Sequence, residues 1–191
     1  MVVERFDRAV TAPGEAAVRL HQEDVCQALG IDPDHAQGRG KYEAHGGPTF
    51  RQVAGLLERW SADSRAERLR LLDRATFTVA IGDADAHGKN VALLHPAPGE
   101  ITLAPLYDTV PTMARPKLWA EAAMSIGGVT RLPEVDSDAL IREGVAWGLP
   151  ANVVSSRVRE LLERLRDVLA AADGTVPAMG LVEDRVSRLL D

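Results

Sequence analysis

A polar loop in the middle of the chain reads Gly82-Asp83-Ala84-Asp85-Ala86-His87-Gly88-Lys89-Asn90. The segment before it, over residues 64–80, has the apolar content of a buried helix that leads straight into the loop. The segment after it, over residues 91–104, predicts a β-hairpin, because two short apolar runs flank a turn containing proline and glycine. The loop therefore joins a helix to a hairpin, and it places Asp85 five residues before Asn90.

The spacing of Asp85 and Asn90 is that of a phosphoryl-transfer catalytic loop. Such a loop needs a carboxylate that orients and deprotonates the acceptor hydroxyl, together with hard oxygen ligands for magnesium. Asp85 fits the base, and the amide oxygen of Asn90 fits a Mg²⁺ ligand. Lys89 lies between them and is placed to neutralise the transferring phosphoryl group. Asp108 follows the second hairpin strand and supplies a further metal carboxylate, which is the order found in protein kinase C-terminal lobes.

Two other interpretations of the loop stay open on the residues alone. Asp, Gly, Asn and His are also common in a solvated loop between a helix and a hairpin. The triplet Asp83, Asp85 and His87 fits a metal-hydrolase cluster, although no second histidine motif follows to complete it. A single histidine such as His87 is more often a hydrogen-bonded structural residue than a ligand.

Composition restricts the class of protein. The chain has 191 residues, of which 46% are hydrophobic and 26% charged, as in a globular protein. Its formal net charge of −6 argues against direct nucleic-acid binding, so DNA contact would need a basic partner chain. The single cysteine, Cys26, excludes an internal disulfide. With no signal peptide and no apolar run of about 18 residues, we expect a cytoplasmic protein without membrane contact.

The hydrophobic pattern predicts a mainly helical chain. We expect an extended segment over 1–8, a helix over 15–29, a glycine-rich loop over 34–48, a helix over 50–60 and a helix from Ser64, with Ser64 and Glu67 forming a capping box. Three more helices follow, the first capped by Asp136 or Ser137, the second by Asn152, and the last spanning the apolar residues of 181–190. Trp60, Phe77 and Trp147 lie on helical stripes, which predicts that they are core residues.

Five ordered blocks carry a resemblance to a known family. They are Val-Glu-Arg-Phe-Asp-Arg at 3–8, His-Gln-Glu-Asp-Val-Cys-Gln-Ala-Leu-Gly at 21–30, Lys-Tyr-Glu at 41–43 with Gly-Gly-Pro at 46–48, Asp-Ala-His-Gly-Lys-Asn at 85–90, and Leu-Ala-Pro-Leu-Tyr-Asp at 103–108. With these blocks the chain resembles the C-terminal kinase lobe of HipA-type serine/threonine kinases, the toxins of bacterial toxin–antitoxin pairs. The resemblance covers most of the chain.

The resemblance implies a fold, an activity and a set of site residues. The fold is a mainly α, protein-kinase-like C-terminal lobe with a small β-hairpin beside the catalytic loop. The activity is ATP- and Mg²⁺-dependent phosphoryl transfer to a protein Ser or Thr, with Asp85 as base and with Asn90 and Asp108 as metal ligands. The implied nucleotide-binding residues are Glu4, Arg5, Phe6 and Asp7 at the hinge, and His87, Gly88, Lys89, Asn90, Tyr107 and Asp108 on the phosphate side. The blocks at 21–30 and 41–48 have a plainer interpretation, in which they shape the lobe and the substrate groove.

The chain departs from the family pattern at its start. HipA-type kinases place a phosphate-covering loop and an ATP-contacting lysine before the hinge, whereas this sequence begins at the hinge. We therefore expect residues 1–191 to form a single C-terminal lobe that is inactive alone and needs an N-lobe from another chain. The implied partners are that N-lobe, a HipB-like antitoxin and a protein substrate. The alternative is a catalytically silent truncated protein that binds an antitoxin or a substrate.

Overall fold

Helices dominate the architecture. The structure is a computed structural model that describes residues 5–9, 16–115, 120–172 and 178–191. The helices are α1 (Val25–Ala28), α2 (His35–Gly38), α3 (Phe50–Trp60), α4 (Ser64–Ile81), α5 (Ser137–Ala146), α6 (Ala151–Ala171) and α7 (Met179–Leu190). The strands are β1 (Arg8–Ala9), β2 (Val18–Arg19), β3 (His21–Asp24), β4 (Ala92–His95), β5 (Thr102–Leu103), β6 (Glu121–Ile126) and β7 (Val129–Arg131). The expected mainly helical lobe with a small hairpin is confirmed.

Helix α4 is the central element of the core. Its residues Leu71, Leu72 and Val79 are completely buried, and it packs against α3, α5, α6 and α7. A helix that is buried on several sides needs apolar residues on more than one face, which is what α4 carries. It ends at Gly82, where a left-handed backbone with φ of 76° turns the chain into the candidate loop. The core thus holds one end of that loop in place.

The predicted capping box at Ser64 is wrong. Asp63 caps α4 instead, with its carboxylate accepting the Ala66 N–H at 2.9 Å. The Glu67 carboxylate turns to β5, where it accepts the Thr102 hydroxyl at 2.9 Å and the Leu103 N–H at 2.7 Å. A tertiary partner has therefore replaced the local one, and the result is that the hairpin is fixed to α4.

The predicted hairpin over 91–104 is confirmed as β4 and β5, but it belongs to a larger sheet. Strand β3 pairs antiparallel with the other edge of β4, giving the order β3-β4-β5. The predicted helix over 15–29 is wrong over most of its length, since only α1 is helical there. Helix α1 begins after Asp24, which forms a capping box with Gln27. Strand pairing with the buried β4 outweighs the local helical composition of this segment.

A second hairpin, β6–β7, lies beside the candidate loop. Its turn is Gly127–Gly128, with φ of 58° and 84°, values that glycine adopts without strain. The Ala123 N–H on β6 donates to the Ala84 carbonyl at 3.0 Å. The sequence interpretation left this hairpin out, although a Gly-Gly pair between apolar residues is a usable hairpin signal.

The helices after the second hairpin follow the prediction in outline. Asp136 caps α5 by accepting the Ala139 N–H at 2.8 Å. The predicted cap at Asn152 is wrong, because α6 already begins at Ala151 and Pro150 occupies the cap position. Helix α7 buries Val182, Val186 and Leu189 against the core. Within the part of the chain that the structure describes, no helix has the length and apolar content that crossing a bilayer requires.

The three aromatic residues expected in the core have different environments. Trp147 is buried and its ring packs against Phe50, while Phe77 is partly buried against the core. Trp60 is 45% exposed, so that prediction is wrong. Trp60 is the last residue of α3, and the Arg59 guanidinium lies 5.0 Å from its ring centroid. Trp60 continues the apolar face of α3, but at the end of the helix this face is no longer covered by the core.

Candidate active site

The candidate loop is held at its start by buried backbone and side-chain contacts. The Asp83 side chain is only 2% exposed, and its carboxylate accepts the Asp85 N–H at 3.1 Å. The Ala84 N–H donates to the Thr112 hydroxyl at 2.7 Å. Burial raises the pKa of Asp83 to about 6, because removing the carboxylate from water disfavours its charged form. Residues 83 and 84 are therefore fixed by buried hydrogen bonds, and they support the backbone of the exposed Asp85.

Asp85 and Asn90 are joined within the loop. The Asn90 side-chain NH₂ donates to the Asp85 carbonyl at 3.2 Å, across a short 3₁₀ turn at Gly88–Asn90. The Asp85 carboxylate is exposed and receives the Tyr42 hydroxyl at 2.6 Å on its Oδ1. The loop thus presents an exposed carboxylate whose backbone is fixed by the residue five positions on.

A cavity of about 400 Å³ opens beside the Asp85 carboxylate. Its lining includes Tyr42, Ala84, Thr112 and Ala122 around Asp85, with Arg39 and Glu121 contributing charge. This volume lies in the range of small-ligand sites, roughly 300–1,000 Å³. An acceptor side chain entering this cavity would meet Asp85 directly.

Asn90 and Asp108 meet on the lining of a second, much smaller cavity of about 10 Å³. The hairpin β4–β5 returns the chain to this point, as the sequence predicted. Asp108 has a left-handed backbone, with φ of 50°, which Asp and Asn tolerate better than other non-glycine residues. One amide oxygen and one carboxylate suit Mg²⁺, which commonly takes one or two protein ligands and completes its shell with phosphate and water. The donor set therefore fits the metal that the family resemblance implies.

The metal-hydrolase interpretation is not supported. Among the described residues, no group of three or more His, Cys, Asp or Glu side chains is arranged to hold a metal ion. Of the three residues in question, Asp83 and His87 are buried, while Asp85 faces solvent. The three side chains therefore do not share one environment in which a metal ion could be held.

A buried arginine fixes the far side of the loop. Arg74, on α4, donates to the Asn90 carbonyl at 3.1 Å and to the Ala104 carbonyl at 2.7 Å. Burial lowers the pKa of Arg74 to about 10. The Tyr107 hydroxyl donates to the Lys89 carbonyl at 2.6 Å, and burial raises the pKa of Tyr107 to about 12. Arg74 and Tyr107 together tie the loop to the segment that carries Asp108.

The remaining loop residues divide into packed and exposed ones. His87 is buried, with its ring nearly perpendicular to that of Tyr42, and burial lowers its pKa, which favours the neutral imidazole. Gly88 is packed so closely that a Cβ there would lie 2.5 Å from Pro48 and 2.9 Å from the Cys26 sulfur. Lys89 is exposed. The assignment of His87 and Gly88 to the phosphate side stays a prediction, since their own contacts are with neighbouring protein groups.

The hinge residues cluster around one carboxylate. Asp7 accepts two hydrogen bonds from Arg5, at 2.8 and 2.6 Å, and is also bound by Arg8. Hydrogen bonding from Arg5 is the main cause that holds the pKa of Asp7 well below its usual range. Phe6 stacks on Tyr107, with ring centroids 6.3 Å apart. Glu4 lies outside the described residues. Phe6 thereby links the segment that begins with Arg5 to the segment that carries Tyr107.

Residues 41–43 were expected only to shape the lobe and the substrate groove, but they contact the candidate loop directly. The Lys41 carbonyl accepts the Gly88 N–H at 3.1 Å, and Tyr42 donates to Asp85. The Glu43 carboxylate accepts the Ser125 N–H at 2.6 Å and its hydroxyl at 2.8 Å. These partners are distant in sequence, so no local pattern predicts them. The available signal was a polar Lys-Tyr-Glu run within a glycine-rich loop.

Fold and loop together define a protein-kinase-like C-terminal lobe. The family model described as the HipA-like C-terminal domain matches residues 1–172, and the chain belongs to this family. The sequence-based resemblance is therefore confirmed.

Named relatives and a solved structure agree with this assignment. The chain is 41% identical over 170 residues to a putative kinase, Y4mE, of Sinorhizobium fredii, covering 89% of this chain and 39% of that protein. It is 29% identical over 199 residues to the serine/threonine-protein kinase toxin HipA of Shewanella oneidensis, covering 98% and 44%. A solved complex of HipA, HipB and operator DNA from Shewanella oneidensis matches with a TM-score of 0.77 and 26% identity, covering 98% of this chain and 46% of that chain. The chain thus spans less than half the length of these relatives.

Proposed function

We propose that this chain is the C-terminal lobe of a kinase that transfers phosphate from Mg·ATP to a Ser or Thr hydroxyl of a protein. The observation that carries the proposal is the position of Asp85. Its exposed carboxylate lines a cavity of about 400 Å³. Its backbone is bound by Asn90, which shares the second cavity with Asp108. One loop thereby connects a base to a pair of oxygen ligands that suits magnesium.

Each residue has a distinct role in this proposal. Asp85 orients the acceptor hydroxyl and takes its proton through a carboxylate oxygen. Asn90 and Asp108 supply two oxygen ligands to Mg²⁺, and the exposed Lys89 offers positive charge to the phosphate groups. When bound, Mg·ATP supplies the phosphoryl group and the neutralisation of its charge. Arg74 and Tyr107 hold the end of the loop, at Lys89 and Asn90, against the segment that carries Asp108.

The partners of the whole kinase are part of the proposal. Because the relatives are more than twice as long as the matched region, we expect the rest of the nucleotide site to come from the portion of such a kinase that this chain does not match. A HipB-like antitoxin is the proposed partner, since the solved relative contains HipB. The net charge of −6 supports DNA contact through that partner rather than through this lobe.

A chimeric kinase tests the proposed chemistry. In this chimera, the chain replaces the matched segment of Shewanella oneidensis HipA. Phosphate transfer from radiolabelled ATP to soluble bacterial protein is measured, and phosphoamino-acid analysis identifies the residue type that is phosphorylated. We expect phosphoserine or phosphothreonine to form. Asp85→Asn removes the base and lowers the rate by about 10²–10⁴-fold. Unmodified HipA shows that the assay works.

The control is Asp167→Asn, which removes an exposed carboxylate of α6 that pairs with the neighbouring surface residue Arg166. It is expected to leave the rate unchanged. Circular dichroism and thermal unfolding check that both variants fold. A folded Asp85→Asn chimera with the full rate contradicts the assignment of Asp85 as base, and a folded chimera without activity contradicts the proposal that this lobe is catalytically competent.

A further inference from the structure

We infer that Tyr42 is a positioning residue for Asp85: its hydroxyl occupies Oδ1 of the carboxylate and leaves Oδ2 to receive the acceptor hydroxyl. This inference rests on the proposed function, because it gives a role to Asp85 as base. The hydrogen bond from Tyr42 to Asp85 is 2.6 Å long. A hydrogen bond to a charged acceptor is worth more than one between neutral groups, so its loss should be measurable.

The segment that carries Tyr42 is fixed on both sides. Before it, the Lys41 carbonyl accepts the N–H of Gly88 in the candidate loop itself. After it, the Glu43 carboxylate accepts two hydrogen bonds from Ser125 on β6. Strand β6 is in turn bonded to the loop through the Ala123 N–H and the Ala84 carbonyl. Tyr42 is therefore held by the same elements that hold Asp85, as a positioning residue must be.

The surroundings of the Tyr42 ring keep its hydroxyl a donor. The ring is half-buried and packs nearly perpendicular to the ring of His87, with centroids 5.3 Å apart. Burial is the largest cause that raises the pKa of Tyr42, and the hydrogen bond to Asp85 is the second. The phenol therefore stays protonated at physiological pH. Across the four described ranges, Tyr42 is the one side chain that donates a hydrogen bond to the Asp85 carboxylate. Tyr42 also lines the cavity into which that carboxylate opens.

The first test is Tyr42→Phe in the chimeric kinase. This change keeps the ring and its packing and removes only the hydroxyl. We expect the apparent kcat to fall about tenfold or more, with the KM for ATP unchanged, because the base is misoriented while nucleotide binding is not affected. An unchanged kcat, or a change confined to the KM for ATP, overturns the inference. Asp85→Asn in the same assay reports separately on the proposed function.

The second test needs no activity and uses the chain itself. The chain has two tyrosines, Tyr42 and Tyr107, so Tyr107→Phe leaves Tyr42 as the sole source of tyrosinate absorbance. In that background we expect Asp85→Asn to lower the pH at which Tyr42 ionises, since the negative charge next to the phenol is lost. Circular dichroism at each pH confirms that the chain is still folded.

The matched control for this titration is Asp108→Asn, which removes another exposed carboxylate of the site without touching a Tyr42 hydrogen bond. We expect it to leave the ionisation of Tyr42 where it was. If Asp85→Asn and Asp108→Asn give the same ionisation curve, Tyr42 does not bind Asp85 in solution and the inference fails, whatever the kinase assay shows.

Discussion

At the scale of single residues, Asp83 shows how burial changes the chemistry of the loop. Its carboxylate sits beneath Asp85 and accepts the Asp85 N–H, yet no cation pairs with it among the described side chains. The folded state therefore favours the neutral acid, with a pKa of about 6 against an ordinary value of 3.8. The cost of keeping this group charged inside the protein is about 3 kcal/mol.

This shift predicts a pH dependence of stability. Because the pKa of Asp83 is higher in the folded state than in the unfolded state, the folded state binds more protons between pH 4 and 6. The stabilising contribution of the neutral acid is complete below about pH 4 and is lost as pH rises through about 6. Asp83→Asn keeps an acceptor oxygen and removes the titration. The free energy of unfolding of the wild type should thus fall relative to Asp83→Asn over this interval, measured by urea unfolding in EDTA.

An exposed carboxylate provides the comparison for Asp83. Asp138, in the first turn of α5, is exposed, and Asp138→Asn in the same measurement shows how the loss of a surface carboxylate affects the free energy of unfolding. A difference between wild type and Asp83→Asn that stays constant from pH 4 to 6 would mean that the pKa of Asp83 is not raised in the folded protein.

The sequence predicted those relations among the candidate residues that are local. Asp85 and Asn90 are joined within one turn, and the hairpin that brings Asp108 to Asn90 has its own turn signal. Tyr42 and the burial of Asp83 could not be predicted in this way. Both depend on contacts between segments far apart in the chain, and the side chains alone give no period or spacing that marks them.

At the scale of elements, two glycines in helices show separately how helix propensity and side-chain packing affect stability. Gly55 lies on an exposed part of α3, and a Cβ there meets nothing within 4 Å. Gly144 lies in α5 at its contact with α6, and a Cβ there would come within 2.8 Å of Val154 and 3.3 Å of Leu72. Valine is stiff at χ1 and both neighbours are fully buried, so the contact has little room to relax.

The same substitution should therefore have opposite effects at the two sites. Gly55→Ala is expected to stabilise the chain by about 0.5–1 kcal/mol, since alanine loses less backbone entropy in a helix. Gly144→Ala gains the same term but overpacks the α5–α6 contact, and should destabilise by about 1–3 kcal/mol overall. Urea unfolding of both variants measures the two free energies. Shifts of the same sign would show that the α5–α6 contact can adapt to an extra methyl group.

The elements that sequence reasoning misassigned share one physical cause. Residues 21–24 have helical composition but form the strand β3, because β4 offers a buried edge for pairing. Glu67 lies at a capping distance from Ser64 but binds β5 instead. In each case a tertiary contact is more stabilising than the local contact that the sequence pattern predicts. Helix α3, whose apolar residues lie on one face, and helix α4, whose apolar residues lie on more than one face, were predicted with nearly correct bounds.

At the scale of the whole molecule, the last helix extends the lobe beyond the family match. The matching family model ends at residue 172, whereas α7 spans Met179–Leu190. Helix α7 nevertheless packs on α4 and α6 and buries three apolar side chains, Val182, Val186 and Leu189. Its buried Arg185 donates to the Val79 carbonyl at 2.7 Å and to the Leu132 carbonyl at 3.2 Å. Arg185 therefore connects α7 to the end of the helix that leads into the candidate loop.

Truncation after Ala172 should consequently be severe. Burying a large apolar side chain contributes roughly 1.5–3 kcal/mol, so the loss of these three amounts to about 5–9 kcal/mol. The whole stability of a domain is only about 5–15 kcal/mol. We expect residues 1–172 to lose cooperative unfolding or to unfold at far lower urea concentration than the full chain, as followed by circular dichroism.

Point substitutions in α7 test whether its buried side chains are what stabilises the lobe. Leu189→Ala opens a cavity in the core and should cost about 2–5 kcal/mol. Glu183→Ala alters an exposed position of the same helix and should change the free energy of unfolding by less than about 0.5 kcal/mol. If residues 1–172 instead unfold cooperatively with the free energy of the full chain, α7 is an appendage and the lobe is complete without it. If Leu189→Ala and the truncation are both costly while Glu183→Ala is not, the core that supports Gly82 and the candidate loop includes α7.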